Sequence, residues 1–116
     1  MIDSFRREPK DKAPKESVFQ RKLLKRLRQI PNSWFVVKEA KSIRGLPDII
    51  GIINGTFIGL ECKRSLAEAS HNTGRIVLQK KILRDIEKVG GYSALVYPEN
   101  MEELLNDLTS MSNMQH

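Results

Sequence analysis

Cysteine, histidine and long apolar runs are all scarce in this chain, and each scarcity excludes something. One cysteine, Cys62, cannot form an internal disulfide, which fits a reducing compartment. Two histidines, His71 and His116, show no paired ligand spacing with Cys62, so a zinc site is not expected. No apolar run approaches the ~20 residues of a membrane helix. The charged amino terminus has no apolar stretch of the kind a secretory leader carries, so the expected location is the cytoplasm. Basic residues are also missing from one region. All 20 Lys and Arg fall in residues 1–90 beside 10 acids, whereas residues 91–116 hold four acids and no Lys or Arg. A body of net charge +10 in a chain of pI near 9.7 is the footprint of a polyanion binder, and nucleic acid is the commonest polyanion. With 116 residues, the chain has room for one modest core and a single domain, expected over residues 15–110.

The most informative stretch is Gly45–Lys63. Asn54-Gly55 separates two apolar, β-branched runs and predicts a two-residue hairpin, because a type I′ turn needs two residues at positive φ. The turn sets the register: Ile53 opposite Thr56, Ile52 opposite Phe57, Ile50 opposite Gly59 and Asp48 opposite Glu61. Two acids thereby become cross-strand neighbours with Cβ atoms about 5 Å apart, and Lys63 projects from the same face as Glu61. Facing carboxylates repel, and one is driven to protonate unless a cation lies between them. A hard divalent ion with oxygen ligands is the natural occupant, and an adjacent ammonium could orient its water or offset charge on a phosphate. A surface cluster with Lys63 bridging two acids is the competing reading of the same spacing.

Pro47-Asp48 followed twelve residues later by Glu61-Cys62-Lys63 resembles the PD-(D/E)xK signature of the restriction-endonuclease-like nucleases. Together with Gly45-Leu46-Pro47-Asp48, the short hairpin and Gln79 downstream, it is most similar to the VRR-NUC branch, over about residues 15–97. The resemblance implies an αβββαβ core, a mixed four-stranded sheet flanked by helices, with a further C-terminal helix. It also implies Mg²⁺ or Mn²⁺ held by Asp48, Glu61, the Cys62 backbone carbonyl and Glu16 on the first helix. Lys63 would assist the attacking water, and Gln79 would be a further active-site residue. The implied partner is DNA in a four-way or other branched form, cut by a homodimer in a bacterial cell or phage-infected host.

Along the chain, residues 1–14 read as a flexible basic arm. Lys15–Ile30 carries the stripe Val18, Phe19, Leu23, Leu24, Leu27, Ile30 and predicts an amphipathic helix ended by Pro31. Glu16 in its first turn would also be explained by the helix dipole alone. Ser33–Lys38 predicts a strand with Trp34 and Phe35 in the core. The basic residues Lys41 and Arg44 in the following loop, with Arg64, Arg75 and Lys80 further on, are candidate nucleic-acid contacts. Both faces of the hairpin are apolar away from the acids, so both are expected to be covered. Residues 64–75 read as a mobile loop in which His71 has no catalytic role. Residues 76–89 predict a helix with Leu78, Ile82, Ile86 and Val89 inward. Tyr92–Tyr97 predicts a strand parallel to Thr56–Lys63, residues 99–110 an acidic helix on Met101, Leu104, Leu105 and Leu108, and residues 111–116 a frayed tail.

Three functions fit these residues. A metal-dependent phosphodiesterase uses the acids, Lys63 and the basic body together. A non-catalytic nucleic-acid-binding module keeps the fold and the charge without the chemistry. A protein-interaction subunit would use the apolar side of the last helix.

Overall fold

A computed structural model describes residues 15–39, 44–71 and 73–114. The expected N-terminal arm, Lys41 and His116 lie outside them. The elements are α1 (Glu16–Leu27), β1 (Ser33–Val37), β2 (Ile49–Ile53), β3 (Thr56–Cys62), α2 (Leu66–Ala69), α3 (Gly74–Lys88), β4 (Tyr92–Val96) and α4 (Met101–Ser112). They form an α/β fold around one mixed sheet in the order β1-β2-β3-β4, antiparallel except for the parallel β3–β4 pair. No helix among the described residues is long and apolar enough to cross a membrane.

Asn54 and Gly55 turn the hairpin at φ 49° and 89°, as a type I′ turn requires. The ladder then runs Ile53↔Thr56, Ile52↔Phe57, Gly51↔Ile58, Ile50↔Gly59 and Ile49↔Leu60. A side-chain period of two sends Phe35, Ile49, Ile53, Ile58, Leu60, Cys62 and Val96 to one face, where they are buried with Phe19, Leu23 and Leu27 of α1 and Leu104, Leu105 and Leu108 of α4. Each such side chain contributes about 1.5–3 kcal/mol on burial. Gly51 belongs to this face because an added Cβ would collide with the Phe35 ring and the Trp34 carbonyl oxygen.

Among the described residues, α3 packs on the other face chiefly over β4 and β3. This corrects the expectation that both faces are covered: Trp34, Ile52 and Phe57, aligned across three strands, remain 59, 46 and 41% exposed. Trp34 is therefore not a core residue. Alternation allows only one of two adjacent strand residues to point inward, and Phe35 takes that place.

Three further expectations change. Residues 64–75 are not all loop, because Ser65-Leu66-Ala67-Glu68 has the spacing of a helix start, and Ser65 Oγ accepts the Glu68 N–H at 3.2 Å. α3 begins two residues early, at the Thr73 cap, and buries Ile76, Gln79 and Leu83; Val89 is 87% exposed. The buried edge is centred on Gln79, and the expected stripe of Leu78, Ile82 and Ile86 lies beside it, half-buried. α4 runs on to Ser112, into the stretch expected to fray. Asn54 Nδ2 donates to the carbonyls of Met111 (3.3 Å) and Met114 (2.6 Å), and Ser112 Oγ donates to the Pro31 carbonyl (2.8 Å). The helix end is thus tied to two turns, satisfying carbonyls that a helix C-terminus otherwise leaves open.

Candidate active site

The β2–β3 register, extended by one pair, sets Asp48 against Glu61, and the β1–β2 register extended likewise sets Lys38 against Asp48. The Lys38 N–H does donate to the Asp48 carbonyl oxygen, at 2.9 Å. Lys38, Asp48 and Glu61 therefore form one row across three strands, on the face that α3 overlies. Beyond Ile49↔Leu60, the Cys62 N–H donates to Asp48 Oδ2 at 2.9 Å, so the carboxylate stands in for a strand carbonyl and is anchored against β3. The Cys62 thiol is fully buried on the opposite face, and burial pushes it up.

Glu61 and Lys63 are 2% and 5% exposed. The Lys63 ammonium lies 3.7 Å from Glu61 Oε2 and donates to Gln79 Oε1 at 2.8 Å. The other oxygen, Glu61 Oε1, is buried without a hydrogen-bond partner. An unpaired buried oxygen of this kind is costly. Burial, and next the Asp48 charge, push the Glu61 carboxyl up to about 8, although Lys63 and Lys38 pull it down. Burial is also the main reason that Glu16 is raised, followed by Asp48; Lys63 and Arg75 oppose it. The start of α1 thus lies within the electrostatic reach of the acid pair.

Among the described residues, no three Asp, Glu, His or Cys side chains converge as a ready metal-binding group, so Glu16 does not complete a three-acid cage. Mg²⁺, however, commonly takes one or two carboxylates and keeps several waters. Two facing carboxylates, one carrying a buried unpartnered oxygen, fit that donor pattern.

Beside the acids opens a cleft of about 500 Å³, walled by Lys38, Arg44 and Arg75, with Leu78 and Gln79 along α3 and Gly45 and Gly74 at its edges. Gln79 joins the cleft to Lys63. Of the expected nucleic-acid contacts, the structure brings Arg44 and Arg75 to this cleft. Arg64 instead packs beside Glu68 at 3.7 Å, and Lys80 is half-buried on α3 away from the cleft walls. Lys38 was missed from sequence. Its signal is the β1–β2 pairing, which a connection of more than ten residues leaves unspecified locally.

No family model, curated protein or solved structure matches this chain.

Proposed function

We propose that the chain is a Mg²⁺- or Mn²⁺-dependent endonuclease of the restriction-endonuclease-like type, related to the VRR-NUC branch, which hydrolyses phosphodiester bonds in branched DNA as a homodimer. The observation that carries this reading is the buried Glu61 carboxylate with an unpartnered oxygen, facing Asp48, with the Lys63 ammonium 3.7 Å away. In a protein with no cation bound, that pair only costs stability; with one, it becomes a site. Asp48, Glu61 and the Cys62 carbonyl would hold the ion, with Glu16 behind them. When bound, the metal supplies a polarised phosphate and a more acidic water.

The chain's own groups do the rest. Gln79 holds the Lys63 Nζ beside Glu61, where the ammonium stabilises charge developing on the phosphate and orients the attacking water. The Cys62 N–H fixes the Asp48 carboxylate against β3. Lys38, Arg44 and Arg75 hold the substrate's phosphates.

Two observations favour a second reading, a binding module without catalysis: no third acid completes a metal group among the described residues, and Asp48 Oδ2 is already hydrogen-bonded. The discriminating experiment incubates purified protein and Mn²⁺ with labelled four-way junction, flap, duplex and single-stranded DNA. Cutting of a branched substrate that Asp48→Ala and Lys63→Ala each reduce by at least about a hundredfold, with binding retained, supports the enzyme. Binding to every substrate with no cutting of any establishes the module.

A further inference from the structure

We propose that the cationic cleft is a nucleotide pocket, taking one unpaired nucleotide next to the bond to be cut; this rests on the nuclease reading and narrows its substrate class. Sign comes first. Three cations, Lys38, Arg44 and Arg75, wall the cleft and no acid among the described residues lines it, so its ligand is an anion. Size comes second. A volume of about 500 Å³ lies in the range of small-molecule pockets. A pocket of this size encloses a single nucleotide, not a base pair with both its backbones.

The lining is also divided as a nucleotide requires. Leu78 and the bare edges at Gly45 and Gly74 offer apolar surface to a sugar and base, while the cations meet the phosphate. At Gly74 an added Cβ would meet only open space, and the positive end of the 15-residue helix α3 opens there. Lys38 is held in advance: its Nζ donates to the Leu46 carbonyl at 2.8 Å, and its N–H to the Asp48 carbonyl. One cation of the pocket is therefore tied to the backbone of the residue that carries an acid of the site. Gln79 makes the second tie, because it lines the cleft and accepts from Lys63. A phosphate seated in the cleft is thus in register with one at the acids. The cut strand must then be unpaired beside the cut, which a flap or junction provides and a flush duplex does not.

The test needs no metal and no turnover. With EDTA present, thymidine 5′-monophosphate, thymidine and inorganic phosphate are each titrated into the full chain by NMR, and into Lys38→Ala and Arg75→Ala variants whose folding is checked by the same spectra. The proposal expects the monophosphate to bind about tenfold tighter than either thymidine or phosphate, and each substitution to weaken it about tenfold. Arg26→Ala, which removes a pair with Glu102 between α1 and α4, leaves that affinity in place. Equal binding of thymidine and its monophosphate overturns the proposal, as does equal binding of phosphate alone, which would make the cleft a general anion site. A blunt duplex that displaces the monophosphate as well as a single-stranded oligonucleotide does also overturns it. Because binding is read without metal, a chain that binds the monophosphate but cuts no DNA loses the nuclease reading and keeps the pocket. A chain that cuts DNA but fails this titration loses the pocket alone.

Discussion

The two faces of the sheet are built by opposite rules. On the α1/α4 face every inward position of β2 and β3 from Ile49 to Cys62 is apolar or glycine and closed from water, except Thr56 at the turn, which is half-buried. On the α3 face the same two strands carry Ile52 and Phe57 half-exposed at one end, and Asp48 and Glu61 at the other. One face buries only what is stable buried. The other leaves apolar groups in water and places charge in the interior. The difference separates what folds the chain from what the chain has to spend stability to keep. A hairpin of two-residue periodicity makes the division possible, since each strand contributes alternate side chains to each role.

The largest expected effects lie on the closed face. Leu108→Ala leaves a void in the core and lowers unfolding stability by about 3 kcal/mol. Gly51→Ala drives a methyl group into the Phe35 ring and the Trp34 carbonyl, and costs about as much. Denaturant melts of these variants check both values. A loss below about 1 kcal/mol for either would mean that the closed face is loosely packed, and the contrast between the faces would be lost.

The next effect has the opposite sign. The Glu61 carboxyl is raised from 4.5 to about 8 in the folded chain, so its neutral form is the one folding favours. Its contribution is intact below pH 4.5 and is lost as pH rises towards 8, where the folded chain must carry a buried charge that the unfolded chain carries in water. Metal-free protein is therefore less stable at pH 8 than at pH 5. Glu61→Gln should remove most of that slope and raise stability at pH 8 by something on the order of 2 kcal/mol. Melts in EDTA at the two pH values measure it. A substitution that destabilises at pH 8 would show that the carboxylate holds the fold together.

The smallest effect belongs to the open end of the same face. Trp34→Ser or Ile52→Thr changes stability by no more than about 0.5–1 kcal/mol, well short of Leu108→Ala. A loss as large as that of a core leucine would mean that something covers this row in solution.

How much of this was legible depended on distance along the chain. Asn54-Gly55 is local, so the hairpin, its register and the Asp48–Glu61 juxtaposition could be read from neighbouring letters, as could Lys63 on the Glu61 face. The inward leucines of α4 and the buried Cys62 followed from periodicity alone. Trp34 could not be placed, because two adjacent aromatics in a strand must face opposite ways and only the covering helices decide which is buried. Lys38 joined the site through a strand pairing set by the tertiary fold. Ile76 and Leu83 were masked by Gln79 between them, a buried polar side chain whose partner, Lys63, comes from another strand. Where a polar group is buried for a site rather than for the core, periodicity points the wrong way.

The account turns on whether the acid end of the open face is a place for a divalent cation. Titrating the Glu61 carboxyl carbon by NMR, with and without Mg²⁺, addresses that directly. The account predicts a midpoint near 8 without metal that drops well into the ordinary carboxylate range when Mg²⁺ is added. A midpoint that Mg²⁺ leaves where it was would contradict it.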